Sequence, residues 1–261
     1  MSEFERLLYD AADGVAIVAL NRPEKRNALD DRTVTELKRA LTDAAEDDAV
    51  RVVLLRGEGP DFCAGADLAQ MERIAEEARP LGNLDDAAAL GELLILMRRL
   101  PRPIVGAVHG HAYAGGAGLA TACDLVVASD DAVFGYPEVH LGFVPAMVMA
   151  LLRRVVGEKV AFELIARGDK IGAEEARRIG LVNRVLPAAT FAADAREYAV
   201  ELAARPASSI RLSKRLLYGL DGVSVEDGIA RGAEVNVLAR MTDECREGVR
   251  RFLESRRRAE R

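Results

Sequence analysis

Apolar residues follow two rhythms along this chain, and the change between them divides it. In the first half, short β-branched runs alternate with amphipathic stretches. "GVAIVAL" (14–20) and "VRVVLLRG" (50–57) end near turn residues and predict strands. Between them Val34, Leu37, Leu41 and Ala45 recur at helical spacing, behind acids suited to capping a helix. "DDAAALGELLILMRRLPRP" predicts a second helix, stopped by Pro101 and Pro103. "PIVGAVHG" and "DLVVAS" predict two more strands, with a glycine-rich segment opening a short helix between them. Strand and helix in alternation imply an α/β core.

From Pro145 onward the rhythm is almost wholly helical. "PAMVMALLRRVVG", "EKVAFELIARG" and "AEEARRIG" predict successive helices, and "LVNRVL" one more strand. "AATFAADAREYAVELAAR", "ASSIRLSKRLLYG", "SVEDGIARGAEVNVLAR" and "TDECREGVRRFLESRRR" predict helices to the end. The last three, beyond Pro206, have little strand to pack on and are expected to form a helical appendage or an oligomer contact. No fixed-period repeat or low-complexity linker interrupts the chain.

Composition narrows the classes. With 261 residues, half of them hydrophobic, the chain can bury a substantial core. A formal net charge of -6 argues against a general nucleic-acid binder. Cys63, Cys123 and Cys245 are odd in number and widely spaced, which is no disulfide framework and suits a reducing compartment. "MSEFERLLYD" lacks the basic and apolar regions of a secretory signal. The most apolar stretch, 103–128, is broken by His109, His111 and Asp124, so no membrane span is expected. The expectation is a soluble, cytoplasmic protein.

The chemistry begins with exclusions. There is no phosphate-binding G-x-x-x-x-G-K-[ST] loop, no G-x-S-x-G elbow and no H-E-x-x-H. No dinucleotide fingerprint follows the first strand. His109 and His111 are spaced to share one face of a strand, but no third ligand sits nearby, and no metal site is expected. Two glycine-bearing segments remain: "GEGPDFCAGADLAQM" (57–71) and "HAYAGGAGLA" (111–120). Each puts small residues where a strand ends and a helix begins. Such clusters serve close helix–strand packing, or they present backbone N–H groups to a ligand. Two of them together could supply paired donors to a developing oxyanion.

Over nearly its whole length the chain resembles the crotonase (enoyl-CoA hydratase/isomerase) family. The matching stretches are "LNRPEKRNALD" (20–30), "FCAGADL" (62–68), "GHAYAGGAGLATACDL" (110–125), "FGYPEVHLG" (134–142), "AEEARRIGLVNRV" (173–185) and "DECREGVRRFLESRR" (243–257). The resemblance implies an α/β spiral of ββα turns over 1–205 and a helical oligomerisation region over 206–261, assembled as a homotrimer or homohexamer. It implies an acyl-CoA substrate of fatty acid metabolism, with coenzyme A entering as part of that substrate and no separate cofactor.

By position, the resemblance puts the two oxyanion donors on the N–H groups of Ala64 and Gly115, and a catalytic acid/base on Glu138. Gly118 stands where two-glutamate hydratases of the family carry their first glutamate, which leaves this chain one carboxylate and room there for a bound anion. Arg22, Lys25 and Arg26 fall in the loop near the nucleotide end of coenzyme A. Ala28, Ala66, Asp67, Leu68, Gly116, Gly118 and Phe143 fall along the substrate path, although Asp67 also suits a helix cap. Phe252 matches an aromatic that packs on adenine, from a neighbouring subunit in some relatives; where a basic residue is usual three positions later, this chain has Ser255, followed by Arg256. Residues 72–88 correspond to the variable region that shapes the acyl pocket. His140 could hold a water or a substrate carboxylate, or serve structure. Cys63 is expected to be a small packed residue.

The resemblance implies first an enoyl-CoA hydratase, in which the one carboxylate works with a separately held water, and second a Δ3,Δ2-isomerase moving a proton from C2 to C4. "GFVPAMV" (142–148), in place of the usual glycine-rich run, is similar to the branch that hydrates methylglutaconyl-type substrates. A non-catalytic coenzyme A-binding scaffold is a further reading.

Overall fold

The computed structural model describes residues 4–70, 72 and 80–259. A six-stranded sheet runs β1 (Leu7–Ala12), β2 (Val15–Leu20), β3 (Val52–Gly57), β4 (Ile104–Val108), β6 (Leu125–Ser129), β9 (Arg184–Leu186). All of its neighbours pair in parallel except β1 with β2. The second sheet holds β5 (His111–Tyr113), β7 (Val133–Gly135) and β8 (Lys170–Gly172), parallel across β5–β7 and antiparallel across β7–β8. Two single bridges extend it, Leu29 with Ala66 and Cys63 with Ala112. The turns that start at β2, β3, β4 and β6 each give one strand to the large sheet, a short strand or bridge beside it, and then a helix. That is the spiral of ββα turns.

Burial on both faces explains why the central strands read as nearly unbroken apolar runs. Ala16, Val18, Leu20, Val53 and Leu55 face the main core, while Val15, Val52, Leu54, Val105 and Val127 meet Phe191, Ala195 and Ala199 of the helix Phe191–Ala203. Among the described residues each expected strand and helix is present; the helix expected beyond 57–71 runs into residues 71 and 73–79, which lie outside them. The helix Asp31–Glu46 opens on Asp30, whose side chain accepts from the Thr33 N–H at 2.7 Å. The helix Pro80–Arg99 begins before the expected Asp85 and ends ahead of Pro101.

Beyond Pro206, one of the three helices is not an appendage. Lys214 of the helix Ala207–Gly219 is buried, and its ammonium donates to Asp124 Oδ2 at 2.7 Å and to the carbonyls of Met97 and Arg102. Tyr218 donates to the other Asp124 oxygen at 2.8 Å. The helices Val225–Arg240 and Asp243–Ala259 bury no residue. Among the described residues, no helix is long and apolar enough to cross a membrane.

Candidate active site

The two glycine segments meet where their strands end. Gly65 (φ +95°) lets the first loop lie on the second, since a Cβ there would stand 2.8 Å from both the Ala114 Cβ and the Tyr113 carbonyl oxygen. Gly116 lets the helix Gly115–Ala122 press onto Cys63, whose carbonyl oxygen would be 2.2 Å from a Cβ. Between them Ala114 holds φ 47° and ψ -121°, a conformation costly for alanine. Its N–H is tied to the Gly135 carbonyl at 3.0 Å. Gly115 then opens the helix, where its N–H has no intrahelical acceptor.

The expected donor pair changes at one position. The Ala64 N–H donates to the Arg26 carbonyl at 2.9 Å and is therefore spent. Two residues on, the Leu29–Ala66 bridge uses the Gly65 carbonyl and the Asp67 N–H. That alternation leaves the Ala66 N–H without a partner among the described residues. Its nitrogen lies 3.8 Å from the Cβ position of Gly115. Ala66 and Gly115, rather than Ala64 and Gly115, are the adjacent free amides.

Beside them opens a cavity of about 220 Å³. Ala64, Ala66, Leu68, Gly115, Glu138 and Phe143 line it, and Leu90, Leu141, Val144, Met147 and Val148 make the rest of its wall strongly apolar. Glu138 sits in the short 3₁₀ helix Pro137–Leu141 that follows β7, closed by Gly142 at φ 68°. The carboxylate is buried, and its Oε2 has no hydrogen-bond partner among the described residues. Burial raises its pKa above the ordinary 4.5. Such a carboxyl is suited to exchanging protons.

Gly118 does not face open space. A Cβ there would be 2.5 Å from Val148 Cγ2, a side chain of the helix Ala146–Val155. The room expected for a bound anion is filled by an isopropyl group. Gly116 likewise contacts Cys63 and does not line the cavity.

The basic patch also divides. Arg22 is buried, donating to the Ala28 carbonyl at 2.8 Å and pairing with Asp30 and Asp67 at 3.1 Å each. It joins the two loops and is not a free cation for phosphate. Burial works to raise the Asp67 carboxyl, yet Arg22 and the backbone hold it below the usual carboxylate range. Asp67 also accepts from the Ala69 N–H at 3.1 Å, as a helix cap does. Ala28 is buried away from the cavity, whereas Lys25 and Arg26 are exposed.

His109 and His111 do not share one strand face, because Gly110 (φ +53°) turns the chain between β4 and β5. His109 meets the Gly59 carbonyl at 2.9 Å, and His111 pairs with Asp61. No cluster able to hold a metal occurs among the described residues. Burial pushes the Cys63 thiol up to about 12, which leaves it unreactive. His140 packs against Gly168 outside the cavity lining. Phe252 is 62% exposed on the final helix, away from the cavity within a single chain. Of the pocket-shaping segment 72–88, residues 73–79 lie outside the described residues.

Sequence reasoning missed Asn27, Tyr113 and Val148. Buried Asn27 accepts from the Arg22 N–H and donates to the carbonyls of Glu58 and Asp61, fastening three loop segments. Tyr113 and Val148 both line the cavity. For Val148 the one sequence signal was its place in a helix starting just beyond the Glu138 motif.

Residues 10–259 match the family model described as Enoyl-CoA hydratase/isomerase. A Thermus thermophilus protein bearing the provisional name of an enoyl-CoA hydratase is 44% identical over 245 residues, 93% of this chain and 95% of that one. The crotonyl-CoA hydratase of Syntrophomonas wolfei is 34% identical over 258 residues, 97% of each chain. Among solved structures, an enoyl-CoA hydratase from Mycobacterium smegmatis superposes with a TM-score of 0.90 at 33% identity, covering 96% of each chain.

Proposed function

The chain belongs to the enoyl-CoA hydratase/isomerase family, and from that premise we propose that it adds water to a 2-enoyl-CoA with an apolar acyl group. The observation that carries this is Glu138: a buried carboxylate with an unpaired oxygen, in a cavity wall that also presents the Ala66 and Gly115 amides. The thioester oxygen receives both N–H groups. As the enolate forms, its negative charge concentrates there, and each such donor typically contributes about 2.7–4 kcal/mol to the transition state. Glu138 exchanges protons with the water and with C2.

The described side chains lining the cavity are apolar apart from Glu138 and Tyr113, which suits an apolar acyl chain; a methylglutaconyl-type substrate with a second carboxylate is a further reading. Exposed Lys25 and Arg26 supply charge for the nucleotide phosphates. A lone carboxylate also suffices for Δ3,Δ2-isomerisation, which is the second reading. Oxygen and amides left unpaired in one cavity support turnover over a binding-only scaffold. The exposed apolar residues of the last two helices support a homotrimer or homohexamer, and we place the protein in the cytoplasm.

Incubation with crotonyl-CoA tests the reading, with mass spectrometry of the product beside a Glu138→Gln control. The expected result is gain of one water by the wild type alone. Turnover of a 3-enoyl-CoA to its 2-enoyl isomer with no water gained on either substrate would replace hydratase with isomerase.

A further inference from the structure

Two buried oxygens on residues lining the cavity lack partners among the described residues, and only one is Glu138 Oε2. The other is the hydroxyl of Tyr113. Folded chains rarely leave such groups unpaired, and those they keep call for a functional reason.

The small sheet carries both residues to this lining. Tyr113 ends β5, its partner in the parallel register with β7 is Gly135, and Glu138 follows three residues later. Absence of a side chain at Gly135 admits the ring, since a Cβ there would lie 3.3 Å from Tyr113 Cδ1. The His111 ring packs against it with centroids 5.0 Å apart, and Lys170 Nζ stands 5.2 Å over its centroid. The phenol is thus fixed by contacts while its oxygen is left unbonded.

Hydration needs a water molecule held in an apolar chamber, and an ordered water takes two to four polar partners. Glu138 supplies one. Among the described side chains of the lining, only Tyr113 offers another oxygen that can bond to the water. We infer that the Tyr113 hydroxyl is a positioning residue that holds the water added to the double bond; this rests on the hydratase reading. In the step, the water oxygen bonds to C3 and its proton passes to one Glu138 oxygen. The π electron pair moves through the thioester enolate, and C2 takes the proton carried by the other Glu138 oxygen. Glu138 ends protonated, as it began. Tyr113 accepts the second O–H of the water and exchanges nothing.

The test is Tyr113→Phe, which keeps the ring and removes the oxygen. Hydration of crotonyl-CoA is measured beside exchange of the C2 hydrogens of butyryl-CoA in deuterated water, a reaction that uses Glu138 and the amides but adds no water. The expected result is a fall of tenfold or more in kcat for hydration, with KM and the exchange rate within twofold of wild type. Unchanged hydration overturns the inference. So does an equal fall in hydration and exchange, which marks a structural role. A wild type that exchanges C2 hydrogens without hydrating any enoyl-CoA overturns the hydratase reading and this inference with it.

Discussion

Glu138 keeps one carboxylate oxygen buried and unpaired, a state that typically costs a protein about 1–3 kcal/mol. Its raised pKa means that over the window above 4.5 the unfolded chain releases this proton before the native one does. Stability from this group therefore falls as pH rises through that window. Glu138→Gln should unfold at nearly the wild-type temperature below pH 4.5 and at a higher temperature than wild type near pH 8, measured by thermal melts. The same substitution should lower kcat by about 10²–10⁴-fold. At this scale the sequence was legible where a motif names a side chain, as at Glu138. It was not where a backbone group matters, because only the contact of Ala64 with Arg26 reveals which amide is spent. Arg22 misled for a related reason: its charge was visible, but its carboxylate partners lie 8 and 45 residues away.

Elements were read well where apolar periodicity was long enough to count. The strands β5, β7 and β8 span three residues each and carry no alternation to detect, yet they place both Tyr113 and Glu138. Packing between elements was equally invisible in the sequence. Gly118→Glu should not install a second carboxylate, because Val148 occupies the space. It should destabilise by about 1–3 kcal/mol as overpacking does, and Gly118→Glu with Val148→Gly should recover much of that loss in denaturant titrations. The pin on the helix Ala207–Gly219 gives a second expectation. Asp124→Ala strands the buried Lys214 ammonium, whose pKa burial already lowers against the pull of Asp124. Breaking such a pair from one side costs about 3–5 kcal/mol, measurable in the same titrations.

For the molecule as a whole, the striped apolar surface of the last two helices outweighs any single contact. Val225 is 74% exposed and Ile229 is 70%, four residues apart on one helix face, with Met241 and Phe252 also exposed beyond them. Surfaces of this kind mark association sites. Light scattering should give a mass that is a multiple of 28.2 kDa, and Val225→Arg with Ile229→Arg should lower it toward a single chain while leaving the fold of the core intact.

Gly118 and Val148 also constrain the paths open to this protein as its sequence drifts. Every glycine codon is one base from an aspartate or a glutamate codon, so a carboxylate at 118 is a single mutation away in the genetic code. Because Val148 Cγ2 stands 2.5 Å from where that side chain must begin, the mutation carries the overpacking cost for as long as position 148 keeps its valine. A smaller residue at 148 removes that cost, so the path that changes position 148 first is the easier one.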